Sequence, residues 1–510
     1  MRFVKRTAAK LLLLCFTAYL LNPAVAYTQT TAVQSKQEVA IPDTPAGREL
    51  TDFLRAINTG DINLIRNFIT EHFDKSTLKQ LPGSNLGEGL RFIYQDTGGV
   101  STYSVEKSTD LEIIVLTREK LTGDWGRFRV KVAAEPPHGI TSWGFRVALR
   151  PAEASPHRKM SDAEIVKELK DYLRKKVAAD LFSGTVLVAK NGKPIFKKAY
   201  GAANKTNSIP NRIDTAFSLG SITKMFTAIA VAQLAEQGKL SFDDFISKHL
   251  PDYPNTPVAE KITIHQLLTH TSGMGDFMSD KFRASSVKIS TVKDFFPFFV
   301  DDTLSFEPGK KWDYSNAGYI VLGVIIERVS GQSYYDYVRN HIFKPLGMKN
   351  TAFYDPENKA ANIALNYTNY DGTTTGRRLP TSKKESLFLP MAKRRGGPAG
   401  LGYSTVEDLL KFANALHNHK LLNAKYTDLV MTGKADTGNA QAGSSKYGYG
   451  FFDEMFKGTR IIGHGGDFPG VNTRFEMYID SGYTVIVLSN YDHPAAQRVT
   501  AKLREMITQE

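Results

Sequence analysis

Apolar residues near the start of the folded chain recur at the spacing of two successive helices. The first set is Leu50, Phe53, Leu54 and Ile57. The polar stretch 58–61 interrupts the pattern, and a second apolar set follows over 62–73. Alternating strand-like runs come next, at 100–105, 111–117, 125–133 and 140–149. Two helices followed by several strands predict a small α+β domain over residues 45–150. Polar, proline-containing stretches at 27–44 and 151–158 are interpreted as linkers.

The longer part of the chain, residues 159–510, has strand patterns at both ends and helical patterns between them. Two early strands meet at Asn191–Gly192, a strong hairpin signal. The predicted strands are 184–189, 194–200, 459–462, 472–479 and 483–488. The predicted helices are 163–177, 225–234, 262–269, 317–330, 334–342, 406–417 and 494–506. This order predicts one antiparallel sheet built from both ends of the chain, flanked by helices, with an inserted all-α lobe.

The helix predicted over 225–234 is apolar around nearly its whole circumference, which is typical of a buried helix. Ser221 lies just before it, after a glycine, and Lys224 follows three residues later. Residues i and i+3 share a helix face, so the Lys224 amine is expected beside the Ser221 hydroxyl. The start of a helix also favours developing negative charge. The spacing alone equally fits an ordinary N-cap serine followed by a solvated lysine.

The composition of the N-terminal segment indicates in which cellular compartment the protein works. Four basic residues precede an apolar run at 11–21 that is too short to cross a bilayer, and Ala24–Val25–Ala26 offers a cleavage site. We expect residues 1–26 to be a signal peptide and the protein to be secreted or periplasmic, with no stable membrane span after cleavage. Cys15, the single cysteine, lies within that segment, so the mature chain is expected to have no disulfide and no thiolate chemistry.

The formal net charge is +13, and removing the four basic residues of the leader lowers it to +9. The densest basic cluster spans 377–395 and is interpreted as an exposed, mobile loop. Interleaved aromatic residues or a known module would be needed to indicate nucleic-acid binding, and neither is found. No histidine spacing fits a zinc site, so we expect no metal and no cofactor.

Three motifs follow one another in the longer part of the chain: Ser221-x-x-Lys224, Tyr314–Ser315–Asn316 and His464–Gly465–Gly466. His270–Thr271–Ser272–Gly273 and the segment 397–401 lie at fitting places between them. Together, from about residue 160 to the end, they resemble the penicillin-recognising serine hydrolases. The resemblance is closest to the class C β-lactamase and DD-peptidase branch, which also holds esterases and D-amino-acid peptidases. It implies a β-lactamase-like fold over residues 159–510.

The resemblance also implies roles for residues. Ser221 would be the nucleophile, and Lys224, its pKa lowered by burial, would stay close to the Ser221 hydroxyl. Tyr314 would act as a base if Lys224 favours its phenolate. The site would thus have Ser221, Lys224 and Tyr314 as catalytic residues.

Substrate binding is expected to involve Asn316, His464, Gly465, Gly466 and Asp467. Asn316 would hold Lys224 or the substrate amide, and the Asp467 N–H would join that of Ser221 in the oxyanion hole. The glycines would let substrate lie along the strand as an extra edge. His270 is expected to hold a turn by hydrogen bonding and not to be catalytic.

The third motif departs from the family pattern. Class C β-lactamases typically carry Lys-Thr-Gly, whereas this chain has His464–Gly465–Gly466. A fixed cation for a substrate carboxylate is thereby replaced by an imidazole. We therefore predict an esterase or peptidase acting on a small ester, amide or peptide, with only residual β-lactam turnover. Two alternatives stay open: a D-Ala-D-Ala carboxypeptidase or penicillin-binding protein that acylates with little turnover, and an inert scaffold that recruits a partner.

The helices and strands of residues 45–150 resemble the nuclear-transport-factor-two-like cone fold. No convincing acid–base pair is found there, since His72 and Asp74 fit a surface helix end equally well. We predict an accessory domain, or one through which the protein forms a homodimer.

Overall fold

The N-terminal part of the chain is a group of helices packed against a four-stranded sheet. The computed structural model describes residues 39–80, 83–151, 154, 159–354, 362–369, 385–386, 394–438 and 444–508. The leader, most of both expected linkers and most of the basic cluster lie outside these residues. The helices are α1 (Pro45–Thr59), α2 (Ile62–His72), α3 (Lys75–Gln80) and α4 (Gly83–Thr97). The strands are β1 (Val100–Ser108), β2 (Glu112–Glu119), β3 (Trp125–Val132) and β4 (Ile140–Ala148), antiparallel in that order.

This N-terminal part has its own apolar core, in which Phe53, Ile65 and Phe128 are buried. Helix α1 begins at Pro45, with Thr44 as its N-cap, and ends at Thr59, followed by its C-cap Gly60, whose φ of 65° is left-handed. The expected helices and strands are present, and α3 and α4 are additions. Helix α4 contains three glycines, which are poor helix formers, so its sequence did not indicate a helix.

The remaining described residues form the longer part of the fold. Its helices are α5 (Asp162–Ala178), α6 (Lys224–Glu236), α7 (Ile246–His249), α8 (Thr256–Ala259), α9 (Ile264–Leu268), α10 (Asp280–Ala284), α11 (Asn316–Ser330), α12 (Tyr334–Val338), α13 (Val406–His417), α14 (Ala424–Met431) and α15 (Ala495–Ile507). Its strands are β5 (Gly184–Lys190), β6 (Lys193–Tyr200), β7 (Ala202–Asn204), β8 (Ile209–Pro210), β9 (Phe217–Ser218), β10 (Tyr367–Thr368), β11 (Glu385–Ser386), β12 (Tyr403–Ser404), β13 (Ala435–Asp436), β14 (Ser445–Tyr447), β15 (Phe452–Phe456), β16 (Thr459–Phe468), β17 (Val471–Tyr478) and β18 (Tyr483–Ser489). Two 3₁₀ turns (Gly220–Thr223 and Val292–Phe298) and a π turn (Arg339–Phe343) complete it.

Eight of these strands form one antiparallel sheet in the order β13-β14-β15-β16-β17-β18-β5-β6. The pairing of β18 with β5 joins the first and last strands of the longer part, which confirms the predicted topology. The β5–β6 hairpin turns at Asn191 and Gly192, both with positive φ (47° and 74°), as its sequence indicated. The strands β13 to β15 were not predicted, because each is short and two of them have only two or three residues.

The sheet has an apolar core on each face. Successive residues of β18 alternate between them: Ile486 belongs to the core shared with the helical lobe, and Val487 to the core beneath α5 and α15. Helix α6 lies in the first core, and every residue from Lys224 to Ala235 is buried, as predicted. A nucleophile placed at the start of this helix therefore stands on a rigid element.

Some predicted boundaries and exposures were wrong. The helix expected over 262–269 is limited to α9, and that expected over 334–342 is one helical turn followed by the π turn. Within the basic cluster, Arg394 is only 7 % exposed and donates to the carbonyl oxygens of Phe282 and Ser285. Arg395 lies over the ring of Tyr335. These two arginines are therefore anchored in the fold and are not part of an exposed loop.

The N-terminal part joins the longer part through buried charges. Glu119, at the end of β2, and Asp124, just before β3, face Arg498 of α15 and Lys176 of α5. The hydroxyl of Tyr172 donates to Asp124 over 2.9 Å. Burial raises the pKa of Glu119, and the pKa of Lys176 is lowered for the same reason. Each charge is compensated by its partners, so the two parts are held together by a group of interactions that is costly to break singly.

Candidate active site

Ser221 lies in the 3₁₀ turn that leads into α6, pressed against β16. Gly220 has a left-handed φ of 52°, which glycine adopts without strain. A Cβ atom at Gly466 would lie 2.0 Å from the carbonyl oxygen of Leu219. The hydroxyl of Thr473 donates to the same oxygen over 2.8 Å. The serine turn and the strand can approach this closely only because both contact positions are glycines.

The amine of Lys224 is buried and has three oxygen neighbours. It donates to Asn316 Oδ1 at 2.6 Å and to the carbonyl oxygen of Ala399 at 2.5 Å. Ser221 Oγ lies 3.4 Å from the same nitrogen. The first two oxygens can only accept hydrogen bonds, so in a neutral amine they take both N–H groups. The nitrogen lone pair is then left for Ser221.

Asp276 determines how the amide of Asn316 is oriented. Asn316 Nδ2 donates to Asp276 Oδ2 over 2.6 Å. A carboxylate accepts only, so the nitrogen of the amide must face Asp276 and its oxygen must face Lys224. Asn316 begins α11, and the N-cap of that helix is Ser315, whose hydroxyl accepts from Gly318 N. Asn316 thus holds Lys224, the first of the two roles expected for it.

Burial lowers the pKa of Lys224 to about 7, and the carboxylate of Asp276 opposes this shift. An ordinary lysine has a pKa near 10.4, so it would be almost fully charged at neutral pH. In this position a substantial fraction of the amine is neutral near pH 7. The structure therefore supplies the lowered pKa that the sequence led us to expect.

Tyr314 is buried beside Lys224, whose nitrogen lies 4.7 Å from the centre of its ring. Burial raises the pKa of Tyr314 well above its ordinary value, and a hydrogen bond with Ser221 opposes this only in part. Among the described residues, no group completes a hydrogen bond of good geometry with the Tyr314 hydroxyl. In this environment the protonated phenol is the favoured form, and the catalytic role of Tyr314 stays a prediction. A phenol in this state keeps its proton at neutral pH and can offer it in a hydrogen bond to a group that becomes strongly basic as it departs.

His270 packs on Tyr314, with ring centres 4.2 Å apart. Its Nδ1 accepts from the Ser315 N–H over 3.1 Å, and its φ of 60° is left-handed. Burial lowers the pKa of His270 well below its ordinary value, so the ring is neutral. The histidine holds the turn that carries Tyr314 and Ser315, which confirms the expected structural role.

His464 is buried and neutral. Burial, followed by the charge of Lys224, lowers its pKa to about 3. Nδ1 lies 2.5 Å from the carbonyl oxygen of Gly465 and must carry the proton, since that oxygen only accepts. Nε2 lies 3.0 Å from the Tyr447 hydroxyl and accepts from it. The imidazole therefore offers no positive charge to a substrate.

The backbone of Asp467 lies next to the serine turn. Its nitrogen is 3.3 Å from the position that a Cβ atom of Gly220 would occupy. Its side chain is directed to the other face of the sheet, where it accepts from Asn472 and, over 3.1 Å, from Arg474. A Cβ atom at Gly465 would contact the guanidinium of the same arginine. The backbone of Gly466 and Asp467 thus lies beside the serine turn, whereas the Asp467 side chain and the open side of Gly465 face Arg474.

Two recesses meet at Ser221. The smaller, of about 40 Å³, is largely apolar, and its described lining includes Phe277, Phe295, Ile320 and Leu401. The larger, of about 630 Å³, includes Tyr314 and His464 among its lining residues. Among the described residues, no group of three or more His, Cys, Asp and Glu side chains could hold a metal ion.

Two members of the site were missed by sequence reasoning. The acceptor from residue 399 is a backbone carbonyl, which every residue type offers, although the segment 397–401 had been noted as a motif. Asp276 is an isolated exposed acid in a loop, and nothing in its sequence setting marks it. Its role becomes visible only through its contact with Asn316.

Comparison with known proteins places this site in a family. The family model described as Beta-lactamase matches residues 169–509. A penicillin-binding protein of Bacillus subtilis (strain 168) is 33% identical over 316 residues, which cover 61% of this chain and 68% of that protein. The crystal structure of a penicillin-binding protein from Bacillus halodurans aligns with a TM-score of 0.55 and 32% identity, covering 68% of this chain and 99% of the other.

A D-stereospecific amidohydrolase from Streptomyces sp. is similar as well, with a TM-score of 0.55 and 26% identity over 67% of this chain and 98% of that structure. The family match begins at residue 169, so it leaves the first α+β part unassigned, and the cone-fold interpretation of that part stays a prediction. In the part of the chain that the structure describes, we find no helix long and apolar enough to span a membrane. With a family model that matches well over half of its length, the chain belongs to the β-lactamase family and is a serine hydrolase.

Proposed function

We propose that the protein cleaves an ester or amide through an acyl-enzyme formed on Ser221. The observation that carries this proposal is the position of Lys224. Its amine is held by Asn316 and Ala399, and its remaining position faces Ser221 Oγ at 3.4 Å. With a pKa of about 7, it is a proton acceptor matched to neutral pH.

In the proposed reaction, Ser221 Oγ attacks the carbonyl carbon while Lys224 takes the hydroxyl proton. The N–H groups of Ser221 and Asp467 receive the negative charge that develops on the carbonyl oxygen. The Tyr314 hydroxyl, protonated and beside Ser221, passes a proton to the departing group and regains one from Lys224. Water then attacks the acyl carbon while Lys224 takes one of its protons. The bond between that carbon and Ser221 Oγ breaks, and Lys224 returns the proton to Oγ as the acid product leaves.

The state of His464 favours an esterase or peptidase over a dedicated β-lactamase. A fixed cation at this position would pair with a substrate carboxylate. His464 is neutral, and both its ring nitrogens already have partners. The nearest arginine along the strand pair, Arg474, is on the opposite face and pairs with Asp467. We expect substrates without a carboxylate beside the scissile bond to be preferred.

A second candidate is a penicillin-binding protein or D-Ala-D-Ala carboxypeptidase that acylates with little turnover. Relatives named as penicillin-binding proteins favour it. The two candidates share the acylation step and differ in the rate of deacylation. The inert-scaffold alternative is disfavoured. The amine of Lys224 is already held by Asn316 and Ala399, so the fold does not need a serine beside it, whereas catalysis does.

Export and an accessory role for the first domain complete the proposal. We infer that residues 1–26 direct secretion or periplasmic localisation, from their basic start and apolar run. Residues 45–150 are proposed to be the accessory α+β domain. The N-terminal sequence of the mature protein tests the first point, and the mass in solution tests homodimer formation.

The decisive test is the intact mass after exposure to a fluorophosphonate probe. Wild type should gain one adduct, and Ser221→Ala should gain none. Ser445→Ala is a matched control, since Ser445 lines the larger recess but lies on β14, and it should be labelled as wild type is. Labelling of Ser221→Ala would place the reactive serine elsewhere. Turnover of esters, D-amino-acid amides and penicillin then ranks the two candidates.

A further inference from the structure

We propose that the first α+β part forms a wall of the substrate site, on the side of the departing group, and that it selects substrates whose departing group is an extended peptide-like chain. This inference rests on the proposed function. It concerns the larger recess, which continues from Ser221 to the end of β4. Its lining includes Val147, Ala148 and Leu149, all of which come from the N-terminal part.

Tyr314 indicates which recess receives the departing group. An alcohol or amine that leaves must accept a proton, and Tyr314 is the proposed donor for this step. Tyr314 lines the larger recess and is not part of the lining of the smaller one. The smaller recess, of about 40 Å³ and largely apolar, is then left for a short acyl group.

The larger recess extends around the edge of β16 that no neighbouring strand covers among the described residues. Strand β15 pairs with β16 as far as Gly463, and among the described residues no strand pairs with the rest of that edge. A chain lying along it would direct alternate side chains to opposite faces of the sheet. One face carries Ser221 and His464. On the other, Arg474 and Glu476 line the same recess.

On the face of the sheet that carries Arg474 and Glu476, the recess is closed from the opposite side by two elements. Helix α15 contributes Thr500 and Ala501, and β4 contributes Val147 to Leu149. The end of β4 is anchored, since Leu149 packs on the core beneath α15 and Arg150 N donates to Glu505 over 2.6 Å. The buried contact between Glu119 and Arg498 holds the same domain in place. Because these contacts already hold the wall in place, substrate binding does not have to order it, and the wall can discriminate between substrates at no entropic cost of its own.

Length and charge define the occupant. The edge of β16 that β15 leaves free runs from His464 to Asp467, about 10 Å at the usual strand rise, and the recess continues beyond it to the end of β4. Its ionic groups are paired with each other: Arg474 with Asp467, and Arg504 with both Glu454 and Glu476. Such a lining offers many hydrogen-bonding groups but little unpaired charge. It fits an extended chain of several amides without strongly charged side chains.

The test uses acetate esters of one phenol whose para substituent carries zero, two or four neutral amino acids. The acetyl group suits the smaller recess, and the reactivity of the phenol stays constant along the series. For wild type we expect kcat/KM to rise about fivefold or more from zero to four residues, mainly through KM. Val147→Trp and Ala501→Trp narrow the recess from its two walls. Each should reduce this rise to about twofold or less, measured against the same variant's own kcat/KM for the shortest ester.

Arg146→Trp is the matched control, because Arg146 is exposed, adjacent to Val147 and outside the lining. It should retain the full dependence on length. Equal kcat/KM for all three esters in wild type would overturn the inference. It would also be overturned if both wall variants melted at the wild-type temperature and still showed the full rise of kcat/KM with ester length. Absence of Ser221-dependent turnover of the shortest ester would instead overturn the proposed function, and this inference with it.

Discussion

Lys224 Nζ lies 2.6 Å from Asn316 Oδ1, and this contact directs the remaining position of the amine to Ser221. We predict that Asn316→Asp, which places a carboxylate against the amine, raises the pKa of Lys224 by about 1–3 units. The acid limb of kcat/KM should then move by the same amount to higher pH. Asp276→Asn removes the charge that raises the pKa of Lys224, so its limb should move to lower pH. Limbs that coincide with that of wild type in both variants would contradict the assignment of Lys224 as base.

The pH dependence of the wild-type enzyme is itself predicted. Lys224 must be neutral to accept the proton, so kcat/KM should fall as the pH decreases through about 7. His464, with a pKa of about 3, stays neutral over this range and adds no limb. Lys224→Arg, which remains charged, should lower kcat by about 10³-fold or more at every pH tested. An acid limb that persists unchanged in a still-active Lys224→Arg enzyme would exclude Lys224 as its source.

A cation at position 464 should change substrate preference. We predict that His464→Lys raises the ratio of penicillin to ester turnover by about tenfold, which is the effect of a ~1.4 kcal/mol gain at the substrate carboxylate. Rates on both substrates are to be measured, since the new lysine also affects the pKa of Lys224. His464→Gln, which adds no charge, is the control and should leave the ratio close to that of wild type. A ratio unchanged in His464→Lys would show that the substrate carboxylate does not reach this position.

The contact between Gly466 and the serine turn should be sensitive to one methyl group. In Gly466→Ala the new Cβ would meet the carbonyl oxygen of Leu219 at 2.0 Å, so the turn must move away from the strand. Activity should fall by about 10²-fold, because the oxyanion donors would no longer converge. Gly465→Ala is the matched control: its Cβ meets the flexible end of Arg474 and should cost much less. Ester hydrolysis and thermal melting of both variants check this, and equal losses in the two would contradict it.

The buried pair of Arg498 and Glu119 should dominate the junction between the N-terminal part and the rest of the protein. We predict that Arg498→Met lowers the free energy of unfolding by about 3–5 kcal/mol, because Glu119 would be left buried without its cation. Arg328→Met removes an exposed partner of Asp252 and should cost only about 0–1 kcal/mol. Denaturant unfolding measures both. A loss for Arg498→Met no larger than for Arg328→Met would mean that the pair is solvated in solution.

Local patterns predicted much of the fold and the first residues of the site. Ser221 and Lys224 are three residues apart, so helical geometry alone brings their side chains together. The apolar circumference of α6 indicated burial, and burial is the main cause of the lowered Lys224 pKa. The β5–β6 hairpin followed from Asn191–Gly192. In contrast, α4 contains three glycines, and its helical state depends on packing against α1 and α2.

The sequence by itself therefore determined the family motifs, the two α+β parts and the residues expected at the site, because these depend on neighbours along the chain. Tertiary structure decided which groups those residues meet. The orientation of Asn316 depends on Asp276, and the amine of Lys224 also donates to the carbonyl of Ala399, a backbone contact that the motif at 397–401 does not reveal. The raised pKa of Tyr314 and the neutral state of His464 come from burial among residues distant in sequence. The recess that extends to β4 exists only because folding places an N-terminal strand beside the last helix.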